Sequence, residues 1–542
     1  MRRWVTTVLA ALLPAAVDAV RITDSLQDAD PPQSGYLPCH NVDPAKVSSY
    51  TRIWQQVFLA NEYFHAKPLV WTPPGSTNEL VIVVSNQNNI RVLDGATGAL
   101  QYSRLVQQPF MASDSNCGDI LYSIGITSTP YIDPQTDIMY FFSKGYKAGK
   151  GPGDPNDPGS GAINGVYKMY AVRLPTLVDV PGFPVIIDGS NADNDRTRYF
   201  LGGTHLQRPS LVSVGSNIIA GFGGHCDMFN YTGMLVSVSK TAGVGVTGVQ
   251  AMVAAPGAPS PQPLDIHVEQ GGKGGIWQSG AGLAVDGRRV FFSTGNGRGP
   301  GENKGTTPRS GKTYLSTLEQ AACSFNVESS GALRQLDWFE TYNFDSFNGG
   351  DRDIGSSNVA LLDPNTFNGG GVSRVAVMGS KAGIVYIMDA DNLGGFMMGP
   401  GGSDAILQTI TLPGSFFGGI GSYPQEGGYL YLVASGGPVY AYKFGRDGSG
   451  KPVFTQAGKS AQAFSGWNSP VVTTLNGQAG TAVLWLSDVN TGLVAYKAIP
   501  VNGVLEPYTF YQTGRLTKFQ RPVFGNGRVF TSRGQTILAM AP

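Results

Sequence analysis

The sequence is poor in the residues that most often announce chemistry. Five histidines and four cysteines stand in 542 residues, and no cysteine falls in a C-x-x-C or C-x-x-C-H arrangement. That excludes a thioredoxin-type redox pair and a covalently attached haem. No H-E-x-x-H, G-x-S-x-G or phosphate-binding loop occurs, so metalloprotease, α/β-hydrolase and nucleotide-binding readings have no footing. Charge is scarce as well. Only 14% of residues are charged, and 38 basic side chains balance 38 acidic ones. A partner gathered by bulk electrostatics, such as nucleic acid or an anionic membrane, is therefore not expected. Long helical periodicity is missing too, and past the N-terminus no apolar run reaches the roughly 20 residues a membrane span needs.

Glycine (74 residues), proline (35) and an apolar fraction of 41% are what the chain has in quantity. This is the composition of many short strands joined by tight turns around an ample core. A unit recurs along it: an apolar run, a Gly/Asn/Asp turn, and a second run rich in Val, Tyr and Ala. The copies pair 80–85 with 90–94, 137–143 with 165–172, 217–222 with 232–238, and 289–293 with 321–327. They continue with 374–378 and 384–389, 429–434 and 439–442, 483–487 and 493–496, and 528–531 and 536–540. These are hairpins, and a single hairpin cannot bury both of its faces. Repetition around a common axis solves that problem, so the expected fold is an all-β, eight-bladed β-propeller, with seven blades as runner-up. A pair of β-sandwiches is the less economical alternative, and the repeat is too long for a β-helix.

Residues 1–19 read as a secretory signal: Arg2 and Arg3, the apolar run from Trp4 to Ala16, and Val17-Asp18-Ala19 as cleavage site. Residues 20–66 then form an N-terminal arm, whose 51–66 part is helix or strand, and 67–542 form a single propeller domain. A secreted, monomeric protein is expected. In an oxidising compartment, Cys39, Cys117, Cys226 and Cys323 suggest two disulfides, with Cys39–Cys117 and Cys226–Cys323 favoured among three pairings. Asn230-Tyr231-Thr232 is a glycosylation sequon. The polar stretches 144–163 and 297–313 read as exposed loops, and 314–324 as a short helix or a strand.

The chemistry gathers in 274–386. Trp277 follows Gly274-Gly275-Ile276; Asn296 lies in Phe292-Ser293-Thr294-Gly295-Asn296-Gly297; Asp353 in Asp351-Arg352-Asp353-Ile354-Gly355-Ser356-Ser357; and Lys381 in Gly379-Ser380-Lys381-Ala382-Gly383. A large flat aromatic, an amide oxygen, carboxylates and a cation suit a planar anionic cofactor and a hard metal ion. These motifs, in this order, together with Leu93-Asp94-Gly95-Ala96-Thr97-Gly98, resemble the pyrroloquinoline-quinone (PQQ) dependent alcohol dehydrogenases, nearest their polyvinyl-alcohol dehydrogenase-like branch. The resemblance is sharp over about 274–390 and diffuse elsewhere.

The resemblance implies a role for each position. Trp277 would stack under the quinone. Asn296 would lend an oxygen to Ca2+. Asp353 would take the alcohol proton as base and touch the metal. Lys381 would bind the quinone oxygens. Two features depart from the family pattern. The adjacent cysteine pair that covers the cofactor is absent, and only Asp227 offers itself as the carboxylate completing the metal site. The implied reaction oxidises a small-molecule, sugar or polymer alcohol and passes electrons to a separate acceptor. Two other readings compete. One is a cofactor-free propeller binding carbohydrate or protein. The other is a polysaccharide-active enzyme using His205, Arg208, His225 and His267 on the central face. Asp351 and Asp345 compete with Asp353 as base.

Overall fold

Each recurring hairpin belongs to a sheet of four or five strands, antiparallel except where Tyr36–Leu37 joins one of them in parallel. The computed structural model describes residues 21–254, 271–298 and 307–542, which build eight such sheets. Blade 1 runs Leu69–Trp71, Leu80–Val84, Asn89–Asp94 and Leu100–Leu105 in spatial order. Blades 2 to 8 follow at 131–186, 205–251, 284–340, 360–411, 421–463, 471–497 and 523–541. The strand Val212–Val214 of blade 3 touches the first strands of blades 2 and 4, and the first strand of blade 1 meets that of blade 8. The first strands thus ring one axis, and the fold is an eight-bladed β-propeller.

The strand Leu80–Val84 shows why the middle strands are apolar without interruption. Side chains alternate across a strand. Leu80, Ile82 and Val84 pack towards Ile132 and Phe141 of blade 2, while Val81 and Val83 pack towards Phe530 and Ile537 of blade 8. Both faces are buried. The core is accordingly a ring of apolar slabs, one between each pair of neighbouring blades.

The N-terminal arm closes the ring and fills its axis. Thr51–Val57, the segment undecided between helix and strand, is a strand that pairs with Thr536–Ala541 as the outer edge of blade 8. Upstream, the arm runs along the first strands of the blades. Ser25 exchanges hydrogen bonds with Val70 (2.9 and 3.0 Å), and the carbonyls of Leu26, Pro31, Pro32 and Gly35 accept from Ile132, Val285, Leu361 and Val472 at 2.8–2.9 Å. Tyr36–Leu37 then pairs in parallel with Val472–Thr473. A buried ion pair, Asp28 with Arg521 at 3.3 Å, ties this plug to blade 8's leading loop.

One expectation left open is decided here, and one changes. The 314–324 stretch contains no helix; Ala321–Val327 is a central strand of blade 4, while a short helix stands instead at Phe344–Gly350. The loop placed at 144–163 begins later, because Ile138–Tyr146 is one strand and Lys144 is fully buried in it. The signal segment, His267 and the middle of the 297–313 loop lie outside the described residues.

Candidate functional site

On one end of the propeller, loops from several blades converge on a cavity of about 540 Å³. Asp227 comes from the hairpin of blade 3, between Asn217–Gly224 and Met234–Ser239. Trp277 leads into the first strand of blade 4, and Asn296 leaves its second. Asp351 and Asp353 follow the short helix on the way to blade 5, and Lys381 sits in that blade's hairpin turn. All six line the cavity. Residues spread over 155 positions of sequence meet because the hairpin turns of blades 3, 4 and 5 and the segments leading into blades 4 and 5 open at the same end.

Hydrogen bonds join them into one network. Asn296 donates from Nδ2 to Asp351 Oδ1 at 2.8 Å and to Asp227 Oδ2 at 3.4 Å. Lys381 Nζ donates to Asp351 Oδ1 at 2.8 Å and lies 3.5 Å from Asp353 Oδ2. Trp277 Nε1 donates to that same Asp353 oxygen at 2.9 Å, which fixes the indole, and Lys381 sits 5.4 Å from the indole ring centre. The other Asp353 oxygen accepts from Gly355 N at 3.2 Å. Gly295 has to be a glycine, since a Cβ there would collide with Asp353 Oδ1.

The electrostatics separate the aspartates. The Asp351 side chain is 69% exposed and that of Asp353 only 7%. Burial pushes the Asp353 carboxyl up to about 6; Lys381 pulls it down, while Asp227 and Asp351 push it further up. Burial alone would lower the Lys381 ammonium, but Asp353 and Asp351 outweigh it and hold it above its ordinary value. Asp353 is thus the water-shielded carboxylate, poised near the range a general base needs. Asp345, the other competitor, is exposed on the short helix outside the cavity.

Several contributors carried no signal in the sequence. Tyr231 is buried and donates to Asp227 Oδ1 at 2.5 Å. Gln320 donates to Asn296 Oδ1 at 2.7 Å and accepts from Ile354 N at 2.9 Å, so it braces both halves of the site. Asp119, Lys518 and Phe519 complete the wall. Cys226, Asp227, Asp351 and Phe519 all adopt left-handed backbone (φ 48–65°), a concentration of strain typical of functional loops.

Comparison with known proteins adds the fold's relatives. Neither a family model nor a curated protein sequence matches the chain. Solved structures do. Quinohemoprotein alcohol dehydrogenase from Comamonas testosteroni is similar at 14% identity and TM-score 0.56, over 96% of this chain and 81% of that one. The quinohemoprotein alcohol dehydrogenase ADHIIG from Pseudomonas putida HK5 is similar at 12% and 0.59, over 97% and 81%. A europium-containing methanol dehydrogenase is similar at 12% and 0.58, over 95% and 91%. This is the fold of the quinoprotein alcohol dehydrogenases. At such identity the likeness speaks for the fold alone, and what the cavity of this chain holds rests on its own residues.

Those residues suit both implied groups. Carboxylates of Asp227, Asp351 and Asp353 with the Asn296 amide make the oxygen-rich donor set that hard cations prefer. Asn296 now turns its nitrogen to the carboxylates and its oxygen to Gln320, so the ligand role expected of that oxygen requires the amide to turn over. For a planar polyanion the cavity offers the Trp277 indole and three cations, Arg208, Lys381 and Lys518.

The cysteine pairing is corrected. Cys117 bonds to Cys226, not to Cys39, and Cys39 and Cys323 are free. Cys323 faces the apolar slab between blades 3 and 4 and cannot reach a loop at the cavity. The disulfide joins the loop after blade 1 to the turn carrying Asp227, so Cys226 forms part of the cavity wall. The histidine reading is corrected as well. His205 is buried with its ring nitrogens 2.8 Å from the carbonyls of Leu201 and Thr232, and buried His225 Nε2 accepts from Lys144 Nζ at 2.6 Å. Of the described members of that group, only Arg208 lines the cavity. Asn230 is 4% exposed, so the folded chain does not present it for a glycan.

Proposed function

We propose that the protein is a secreted alcohol dehydrogenase that uses PQQ and a hard metal ion, Ca2+ in the first instance. The observation that carries this reading is the buried Asp353 carboxylate, held by the Trp277 indole and Lys381 inside a cavity whose rim carries further oxygen donors. Trp277 would form the stacking surface for the quinone, and Arg208, Lys381 and Lys518 would neutralise its carboxylates. Asp227, Asn296, Asp351 and Asp353 would hold the metal. PQQ, when bound, supplies the two-electron acceptor for the hydride of the alcohol carbon. Asp353 takes the hydroxyl proton; Trp277 Nε1 and Gly355 N hold its carboxylate in place, and burial keeps its basicity up. Lys381 lies 3.5 Å from that base and offsets negative charge on the cofactor side. The electrons leave for a separate acceptor. The Cys117–Cys226 disulfide supports an oxidising compartment, hence secretion. Sugar or polymer alcohols, as in the polyvinyl-alcohol branch, are the substrates the open rim favours.

Calorimetric titration of PQQ into metal-stripped protein, with and without Ca2+, tests the reading. Metal-dependent binding is expected, with alcohol-driven dye reduction that Asp353→Asn lowers at least a hundredfold while PQQ still binds. Absence of binding in the presence of Ca2+ and of a lanthanide would overturn it and leave a propeller that binds ligands without this cofactor.

A further inference from the structure

Among the tryptophans of the described residues, Trp467 alone is more than a third exposed, at 41%. It stands in the loop between blades 6 and 7, on the same end as the catalytic cavity, and it is firmly held. Its ring lies 6.4 Å from Phe417 and 6.5 Å from Phe519, and its carbonyl accepts from Phe519 N at 2.9 Å. Phe417 and Phe519 in turn lie 6.4 and 6.3 Å from Trp277. A continuous aromatic wall thus leads from beside Asp353 to the surface.

Trp467 also borders a second cavity, of about 500 Å³, which shares no residue with the first. Its other walls set the polar residues Ser435, Ser465, Asp488, Asn490 and Thr491 among the apolar Ala463, Phe464 and Val489. Asp488 organises them without offering a charge to a ligand. Its Oδ1 accepts from Ser465 N (2.8 Å), Ser465 Oγ (2.6 Å) and Asn468 Nδ2 (3.3 Å), and its Oδ2 from Asn490 N and Thr491 N (both 2.9 Å). The carboxylate is fully buried. The cavity therefore pairs a rigid, exposed indole with uncharged hydrogen-bonding groups on a preorganised loop. That combination suits a ring with an apolar C–H face and hydroxyls around its edge. An acidic or amino sugar would find no free opposite charge here, and a purely apolar ligand would leave the polar rim unpaired.

We infer that the Trp467 cavity is a binding subsite for a neutral pyranose unit of an oligo- or polysaccharide, with Trp467 as its stacking platform. The aromatic wall carries the chain onward, so that a hydroxyl of the terminal unit reaches Asp353. The subsite deepens the dehydrogenase reading and, for its catalytic consequence, rests on it.

Binding and turnover are measured separately. Cellohexaose and maltohexaose are titrated into the full-length protein, following intrinsic tryptophan fluorescence and heat, for wild type, Trp467→Ala and Asn490→Ala, each checked for an unchanged circular-dichroism melt. At least one glycan is expected to bind, with affinity reduced tenfold or more in Trp467→Ala and about threefold in Asn490→Ala. With PQQ and metal loaded, the ratio of kcat/KM for that glycan to kcat/KM for ethanol should fall at least tenfold in Trp467→Ala. Failure of both glycans to bind, or equal binding by all three proteins, overturns the subsite even if ethanol is oxidised. Trp467-dependent binding without any PQQ binding leaves the subsite standing and removes the dehydrogenase.

Discussion

His65 shows what one side chain can cost a fold. Both of its ring nitrogens are buried beside Tyr63, and neither has a hydrogen-bond partner. Burial, reinforced by Arg208 and Lys518, pulls its pKa from 6.5 down to about 3. The unfolded chain therefore binds a proton below pH 6.5 that the folded chain refuses until about pH 3. Stability from this group is complete above pH 6.5 and is lost as the pH falls through that window, on the order of 3 kcal/mol by pH 4. His65→Phe keeps a planar ring without the unpaired nitrogens. In urea denaturation the variant should gain about 1 kcal/mol at pH 7 and progressively more towards pH 4; a pH-independent difference would mean that His65 is not held neutral. Asp353 is also strained by burial, but there Trp277, Gly355 and Lys381 compensate it. A compensated buried charge marks the site; an uncompensated buried ring does not.

The elements that matter most are turns. Motifs around Trp277, Asn296, Asp353 and Lys381 were legible in the sequence because each places a polar side chain among glycines next to an apolar strand. The turn 224–231 was legible only as a weak carboxylate, Asp227, since what makes it part of the site is its bond to a loop 109 residues earlier. Crosslinking a loop of that length removes about 4–5 kcal/mol of unfolded-state entropy in the chain-entropy model. Cys117→Ser is accordingly expected to lower stability by 2–5 kcal/mol and to weaken metal-dependent PQQ binding, while the far-ultraviolet circular dichroism keeps its β signature. Unaltered binding would show that the disulfide does not position Asp227. Gln320 and Tyr231 escaped notice for a related reason: neither sits in a motif, and each acts by holding a neighbour.

At the scale of the whole molecule, the arm is a structural member. It lies along the first strands of blades 1, 2, 4, 5 and 7 and closes blade 8, so the chain's beginning and end are locked together. Asp28 and Arg521, both nearly inaccessible, join plug to ring. Removing one member of a buried ion pair leaves the other uncompensated, typically at 3–5 kcal/mol. Arg521→Met should lower the urea midpoint by that amount in a single transition, because the slabs between blades couple every sheet to the next. A biphasic transition would instead mean that the plug unfolds independently.

Blade number and strand positions could be read from residue order alone, because each middle strand is buried on both faces and must be apolar throughout, and each turn must be glycine- or asparagine-rich. The four motif positions of the site were legible for the same local reason. Which cysteines meet, that Lys144 is buried, that 51–57 is a strand and that the arm fills the axis are matters of proximity between distant segments. The physical cause of these is the closing of the ring, which brings together residues such as Thr51 and Ala541 that no local pattern relates.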